Sequence, residues 1–386
     1  MAIVTSFSKA KQKLGAGPWR HVDVVLLGAV GALSVLGCIM IYSASRSRLT
    51  AQGISSTYYL ERQVGFVLLG IILMLLVMSI DYRKMRDVAP FMYIGVVGSL
   101  VLVLSPLGSE ANGTQGWFNL PGGFQLQPSE FSKFFLIIVL ASYIGQNEQF
   151  HASAIVKTIS IAIVPIGLVL LQPDLGTAMV LGIIVIGMLS VAGTPGRWLV
   201  AMALIAVIGV VGILQLGVLK EYQVDRLTEF LNESNSSERG TSQGSGYNLD
   251  QSKTAIGNGG FLGEGLFEGR QTELSYVPEQ HTDFIFTAIG EQLGFVGSVT
   301  VLALFGIIAW RMWRISRAAS DVTGMLIAIG VTSMFVFHIF ENIGMTMGIM
   351  PITGIPLPFV SYGGSSVMLM FMSIGLVSNV YMHRYD

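Results

Sequence analysis

The stretch VDVVLLGAVGALSVLGCIMIY, residues 22–42, decides the fold. An α-helix needs about 20 consecutive, mostly apolar residues to cross a bilayer, and this run supplies them. Working outward from it, similar runs recur at about 63–80, 88–107, 131–147, 155–171, 176–192, 198–219, 284–310, 322–349 and 365–382. Lipid offers no hydrogen-bond partners, so each run must be a helix. A barrel would instead show alternating segments of ~10 residues, and none occurs. Composition agrees. Of 386 residues, 52% are hydrophobic and 12% charged, against roughly 25% charged in a soluble domain, which excludes a water-soluble globule. The expected fold is an all-α polytopic membrane protein with about ten transmembrane helices. Lys9, Lys11, Lys13 and Arg20 precede the first run and Ser43-Ala44-Ser45 follows it, an arrangement that imitates a cleaved signal. Signal apolar regions run ~7–15 residues, so the segment is read as a span.

Lys plus Arg (22) nearly balance Asp plus Glu (23), leaving no global basic field to attract nucleic acid. Cys38 is the single cysteine, so an intrachain disulfide is ruled out. Lys and Arg concentrate in alternate short loops, and the positive-inside rule then places both termini in the cytoplasm. Segment 220–283 falls outside as a long extracytoplasmic loop between spans 7 and 8, with eleven acidic and five basic residues. Within it, Val224, Leu227, Phe230 and Leu231 recur at helical spacing, and 232–246 is rich in Ser, Gly, Asn and Glu. The first reads as a short amphipathic surface helix and the second as a mobile tip.

Charges in or beside spans are functional hypotheses. Glu130 and Lys133 lie i,i+3 at the start of the fourth span, after Gln127-Pro128-Ser129. Either they neutralise each other as an internal ion pair, or Lys133 faces an anionic head group with Glu130 holding it. Asp174, in Gln172-Pro173-Asp174, sits in a short break, where capping the next helix competes with a functional role. Asp283 closes Pro278-Glu279-Gln280-His281-Thr282-Asp283 and is followed by Phe284-Ile285-Phe286. Held at the apolar boundary, a carboxylate becomes a better base; an N-cap is the alternative. Two turns further along the same span, Glu291 lies roughly 80° round from Asp283 and ~12 Å below it, too far for a dyad. Glu291 therefore reads as the organiser of a buried polar network. His338 and Glu341, i,i+3 in the ninth span, read as a mutually satisfied buried pair. Residues 351–366, PITGIPLPFVSYGGSS, carry three prolines in eight residues and cannot be helical. Such backbone survives at membrane depth only inside protein or along a wet cavity, so 350–364 reads as a re-entrant or extracytoplasmic loop lining a site. There is no nucleotide P-loop, zinc spacing or serine-hydrolase elbow, and the run Gly257-Asn258-Gly259-Gly260-Phe261-Leu262-Gly263 has the wrong spacing for a dinucleotide.

The run 351–366 resembles the signature of the SEDS proteins (shape, elongation, division and sporulation). So do 278–286, 127–133, 172–177, Trp117, and Gln251-Ser252 with 255–260, so that one transmembrane domain of this family covers residues 1–386. Thr353-Gly354-Ile355-Pro356-Leu357-Pro358 resembles the rod-shape (RodA) branch rather than the division (FtsW) branch. The resemblance implies a peptidoglycan glycosyltransferase in the bacterial cytoplasmic membrane. Such an enzyme polymerises lipid II into a nascent glycan strand on the outer side, beside a class B penicillin-binding protein that cross-links the product. It further implies Asp283 as the essential acidic residue, with Trp117, Glu130, Lys133, Asp174 and Glu291 as supporting positions; Ser361 and Gly363 lie in the signature loop and are assigned with them. Gln292 and Glu341 depart from the family pattern.

The residues themselves agree with this chemistry. A sugar on a polyprenyl diphosphate needs a place among membrane lipids for its tail, cations at the diphosphate, and a base near the interface. Asp283 supplies the base; Arg62 and Lys133 are the cations. A divalent cation (Mg or Mn) would neutralise further phosphoryl charge. Two rival classes remain, a lipid II flippase and a non-catalytic scaffold. A transporter would place its key charges near the midplane, often within inverted repeats, and a scaffold needs no boundary carboxylate. Gly95 and Ser99 offer a small-residue face in the third span for a partner's single helix, with packing inside the chain as the alternative.

Overall fold

The structure, a computed structural model, describes residues 21–111, 114–121, 124–147, 152–215 and 245–385. The basic N-terminal stretch, the amphipathic segment around Val224 and the polar run up to residue 244 lie outside the described residues. In chain order the elements are α1 (Val24–Ala51), α2 (Tyr58–Ser79), α3 (Tyr82–Leu104), β1 (Ser109–Ala111), β2 (Thr114–Leu120), β3 (Phe124–Leu126), α4 (Pro128–Gly145), α5 (Ala152–Leu171), α6 (Leu175–Val191) and α7 (Gly196–Gln215). There follow α8 (Ser245–Asn258), α9 (Arg270–Glu273), α10 (Ile285–Ala318), α11 (Val322–Thr346) and α12 (Gly364–Met382).

Among the described residues, eight helices (α1 to α5 and α10 to α12) are long and apolar enough to cross a membrane. The apolar α6, at 17 residues, and α7 coincide with the other two expected runs. The chain is thus a multi-pass, mainly helical membrane protein. One departure is β1-β2-β3, a small antiparallel sheet where only a loop was expected. Another is the helix bounds. α1 runs on to Ala51 and α2 starts at Tyr58, because polar residues at a span's end can stay helical while projecting out of the apolar layer.

Aspartates start several helices by accepting a backbone N–H: Asp23 from Leu26 (3.0 Å), Asp81 from Arg83 (2.9 Å), Asp174 from Thr177 (2.9 Å) and Asp321 from Gly324 (2.7 Å). Asp23 also pairs with Arg311 of α10, whose Nε lies 2.8 Å away, joining the start of α1 to the far end of α10. α4 and α12 are buried around most of their length, whereas α3 turns most of its surface outward. Gly95 belongs to that outward surface, with nothing near the position of a side chain.

The helix α10 is broken at Gly294, whose φ of 63° and ψ of −160° suit only glycine. A break inside a span frees backbone groups that lipid cannot satisfy. Residues 260–265 fill it. Phe295 N–H donates to Gly260 O (3.0 Å) and Val296 N–H to Phe261 O (3.2 Å). Glu264 and Gly265 N–H donate in turn to Glu291 O (2.9 Å) and Gln292 O (3.2 Å). The glycine-rich run that fits no nucleotide is therefore a backbone plug for a split helix.

A second joint depends on one side chain. The two N–H bonds of Asn379 of α12 are shared among the carbonyls of Val77 (3.1 Å), Met78 (3.0 Å) and Ile80 (2.8 Å), and its Oδ1 accepts from Tyr82 N–H (3.0 Å). It closes the turn between α2 and α3 from the side. An Asn379→Leu variant leaves these buried groups unpaired and is expected to lose about 3 kcal/mol or more of stability. That loss reads out as a lower unfolding temperature in detergent; an unchanged temperature would contradict the role.

Candidate functional site

Asp283 lies in a turn just before α10, which starts at Ile285, so it stands outside the helix. The helical-wheel relation to Glu291 expected from sequence therefore does not apply: the first turn of apolar residues after Phe284 is helical, and the polar residues before it are not. The Asp283 carboxylate faces the proline-rich segment. A Cβ added to Gly354 would sit 3.3 Å from Asp283 Oδ2, and Gly354 has a φ of 73°, so glycine lets the loop turn tightly beside the carboxylate.

The segment 351–363 is free of helix, as expected, and its Ile355, Leu357, Phe359 and Val360 are buried. Asn342 of α11 holds the two sides together. Its Nδ2 donates to Asp283 O and to Ile355 O, at 2.8 Å each. Ser361 is turned inward: its hydroxyl accepts from Leu357 N–H (2.8 Å), so it shapes the loop. Gly363 is the N-cap position of α12, and its carbonyl accepts from Val367 N–H (2.9 Å).

A cluster of rings gathers on His281, two residues before Asp283. His281 packs on Tyr59 (4.4 Å between centroids) and Tyr362 (5.7 Å), and Tyr362 N–H donates to His281 O (3.0 Å). Arg62 lies over the Tyr58 ring at 4.6 Å and bonds the Tyr362 hydroxyl. Burial lowers the pKa of His281, with Glu279 opposing and Arg48 reinforcing the shift, so the imidazole stays neutral near pH 7. Burial also raises that of Tyr362, against the pull of Arg62. His281, Tyr59 and Tyr362 were not singled out in the sequence. The available signal was Tyr58-Tyr59 before Arg62 at the start of a span, since tyrosines gather at membrane interfaces.

Glu130 and Lys133 form the internal ion pair. Lys133 is 1% exposed, and its ammonium donates to Glu130 Oε1 at 2.6 Å. The third member is His338. Its Nδ1 donates to Met334 O (2.8 Å), leaving Nε2 to accept from Lys133 (3.3 Å). The expected His338 and Glu341 pair is not made. Glu341 Oε1 instead accepts from the Thr353 hydroxyl (2.9 Å). At i,i+3 the two side chains diverge enough to serve different neighbours, α4 and the proline-rich segment.

Asp174 caps α6, and its second oxygen accepts from Gln127 Nε2 (3.3 Å) and the Ser129 hydroxyl (3.4 Å), tying α6 to the start of α4. Trp117 stands in β2 opposite Ser109, whose hydroxyl donates to its carbonyl (3.0 Å), and is not among the rings packed on His281. Glu291 is 0% exposed and accepts from Gln271 N–H (2.6 Å), Thr272 N–H (3.2 Å) and the Thr272 hydroxyl (2.6 Å). It anchors α9 rather than approaching Asp283. Gln292 accepts from the Ser43 hydroxyl (2.7 Å) and Phe267 N–H (3.0 Å), bonds that a second carboxylate could also accept. Among the described residues no three His, Cys, Asp or Glu side chains converge on a metal position.

The chain was compared with known proteins. The model of the FtsW/RodA/SpoVE family, described as "Cell cycle protein", matches residues 24–386. A probable peptidoglycan glycosyltransferase FtsW of Trichlorobacter lovleyi is 37% identical over 363 residues, covering 93% of this chain and 92% of that protein. Stage V sporulation protein E of Bacillus subtilis is 36% identical over 362 residues (93% and 96%). The peptidoglycan glycosyltransferase MrdB of Escherichia coli K12 is 34% identical over 368 residues (94% of each). Among solved structures, a chain from work on the "structural coordination of polymerization and crosslinking by a peptidoglycan synthase complex" aligns with a TM-score of 0.78 at 29% identity, covering 95% of this chain and 99% of that one. The rod shape determining protein RodA of Thermus thermophilus aligns with a TM-score of 0.70 at 28% identity, with the same coverage. With a family model spanning nearly its full length and relatives this similar over more than nine-tenths of theirs, the chain belongs to the SEDS (FtsW/RodA/SpoVE) family.

Proposed function

We propose that this protein is a peptidoglycan glycosyltransferase that polymerises lipid II on the outer side of the bacterial cytoplasmic membrane. The observation that carries the reading is Asp283, a carboxylate held at the start of a span against the proline-rich segment, two residues after a histidine that packs on Tyr59 and Tyr362. Relatives named as peptidoglycan glycosyltransferases support the same activity.

In this reading the acceptor sugar's hydroxyl gives its proton to Asp283 while its oxygen attacks the anomeric carbon of the donor. The bond from that carbon to the diphosphate oxygen breaks, and the polyprenyl diphosphate leaves with the electron pair. Arg62 is the cation placed to meet the departing charge. Below it on α2, Val64, Leu68, Ile72 and Leu76 are exposed at successive i,i+4 positions, an apolar strip against which a polyprenyl tail can lie. Lys133 acts from within. Buried between Glu130 and His338, it fixes α4 against α11 under the site instead of touching the diphosphate. The sequence 353–358 supports a role in cell elongation, and a class B penicillin-binding protein is the expected partner, in line with the synthase complex similar in structure.

The test is polymerisation of labelled lipid II by purified protein. Asp283→Asn is expected to abolish strand formation while the variant inserts and purifies like wild type; strands formed at the wild-type rate would overturn the assignment. The ion pair makes its own forecast. Lys133→Met strands the Glu130 carboxylate in the protein interior, at a cost of about 3–5 kcal/mol, whereas Glu130→Gln combined with Lys133→Met removes both charges. The double variant should therefore unfold at a higher temperature than Lys133→Met alone, with non-additive losses of activity. Additive effects would separate the two residues.

A further inference from the structure

We propose that Asn342 is a positioning residue for the transfer reaction, holding the Asp283 turn at a fixed distance from the proline-rich segment so that the carboxylate stays beside Gly354. The proposal rests on the reading of Asp283 as the base. A primary amide has two N–H bonds, and Asn342 spends both, one on the carbonyl of Asp283 and one on that of Ile355, each at 2.8 Å. Asn342 is 0% exposed and sits within α11, so the clamp is fixed to a helix while both clamped segments are irregular.

Three consecutive loop residues meet this clamp. Thr353 donates to Glu341, Gly354 lies beside the Asp283 carboxylate, and Ile355 accepts from Asn342. Glu341 and Asn342 are neighbours in the chain, so a single turn of α11 grips the segment on both sides of Gly354. One turn earlier on the same face, His338 takes the Lys133 ammonium. The α11 face thus connects α4 to the Asp283 turn through side chains alone. A backbone bond from Tyr362 N–H to His281 O at 3.0 Å also joins the two segments, at the far end of the proline-rich one. Without Asn342 the backbone carbonyl of Asp283 loses this donor, and the carboxylate can drift relative to Gly354. Displacements of about 1 Å cost about 10²-fold in rate when a reacting group must be aligned.

The experiment measures initial rates of labelled lipid II polymerisation by the full-length protein across substrate concentration and pH. Asn342→Asp keeps the side-chain shape and removes both donors; Asn342→Gln keeps the donors and moves them by one methylene. Asn342→Asp is expected to lose about 10²-fold in kcat with KM changed by less than about threefold, and Asn342→Gln about tenfold in kcat. In both variants the acid limb of the pH–rate profile should move, because the surroundings of Asp283 change. Should Asn342→Asp fail to fold, Asn342→Gln decides. Wild-type kcat and an unmoved acid limb in the folded variants, with Asp283→Asn inactive, would overturn the positioning role and leave the base in place. Activity in Asp283→Asn would overturn the base, and the positioning role with it.

Discussion

Where the chain leaves the helix at membrane depth, its backbone N–H and C=O groups have no water to turn to, and each must find a partner inside the protein. The structure meets this constraint with buried side chains and with inserted loop backbone. Asn379 closes the α2 to α3 turn, Asn342 bridges the Asp283 turn and the proline-rich segment, and Glu291 accepts the free N–H groups of α9. Gln63 adds a bond to Ser361 O, and residues 260–265 fill the break at Gly294. The non-helical backbone that forms the site exists because these groups satisfy it.

The same constraint explains the charges. A single buried charge is costly, and a buried pair recovers that cost only with good geometry and further hydrogen bonds. Lys133 has Glu130 at 2.6 Å and His338 at 3.3 Å, and Asp23 has both Arg311 and the N–H of Leu26. These ions join helices far apart in sequence. Asp283 differs: it stands in the turn before α10, with its carboxylate against Gly354 of the proline-rich segment.

Much of this was legible in the sequence. The apolar runs gave the helices, since a bilayer crossing demands a length and composition that little else produces. Asp283 stood out because polar residues end abruptly before Phe284-Ile285-Phe286, and the proline spacing at 351–358 excluded a helix. Other features depend on contacts that periodicity does not report. His338 finds Lys133 across 205 positions of chain rather than Glu341 three residues away. The break at Gly294 lies inside an apolar pattern that reads as one continuous helix, and only the backbone of 260–265 makes it tolerable. The small sheet at 109–126 is built from strands of three, seven and three residues, the outer two too brief to show an alternation.

The central claim is that the protein joins sugars instead of moving lipids. Incubating the purified chain with a class B penicillin-binding protein, the proposed partner, and labelled lipid II in detergent micelles tests it most directly, because micelles have no two sides and give a transporter nothing to do. The account predicts glycan strands longer than the input disaccharide, resolved as a ladder by gel electrophoresis and digested by a muramidase. Intact lipid II with no strands, from protein that is folded and bound to its partner, would contradict it.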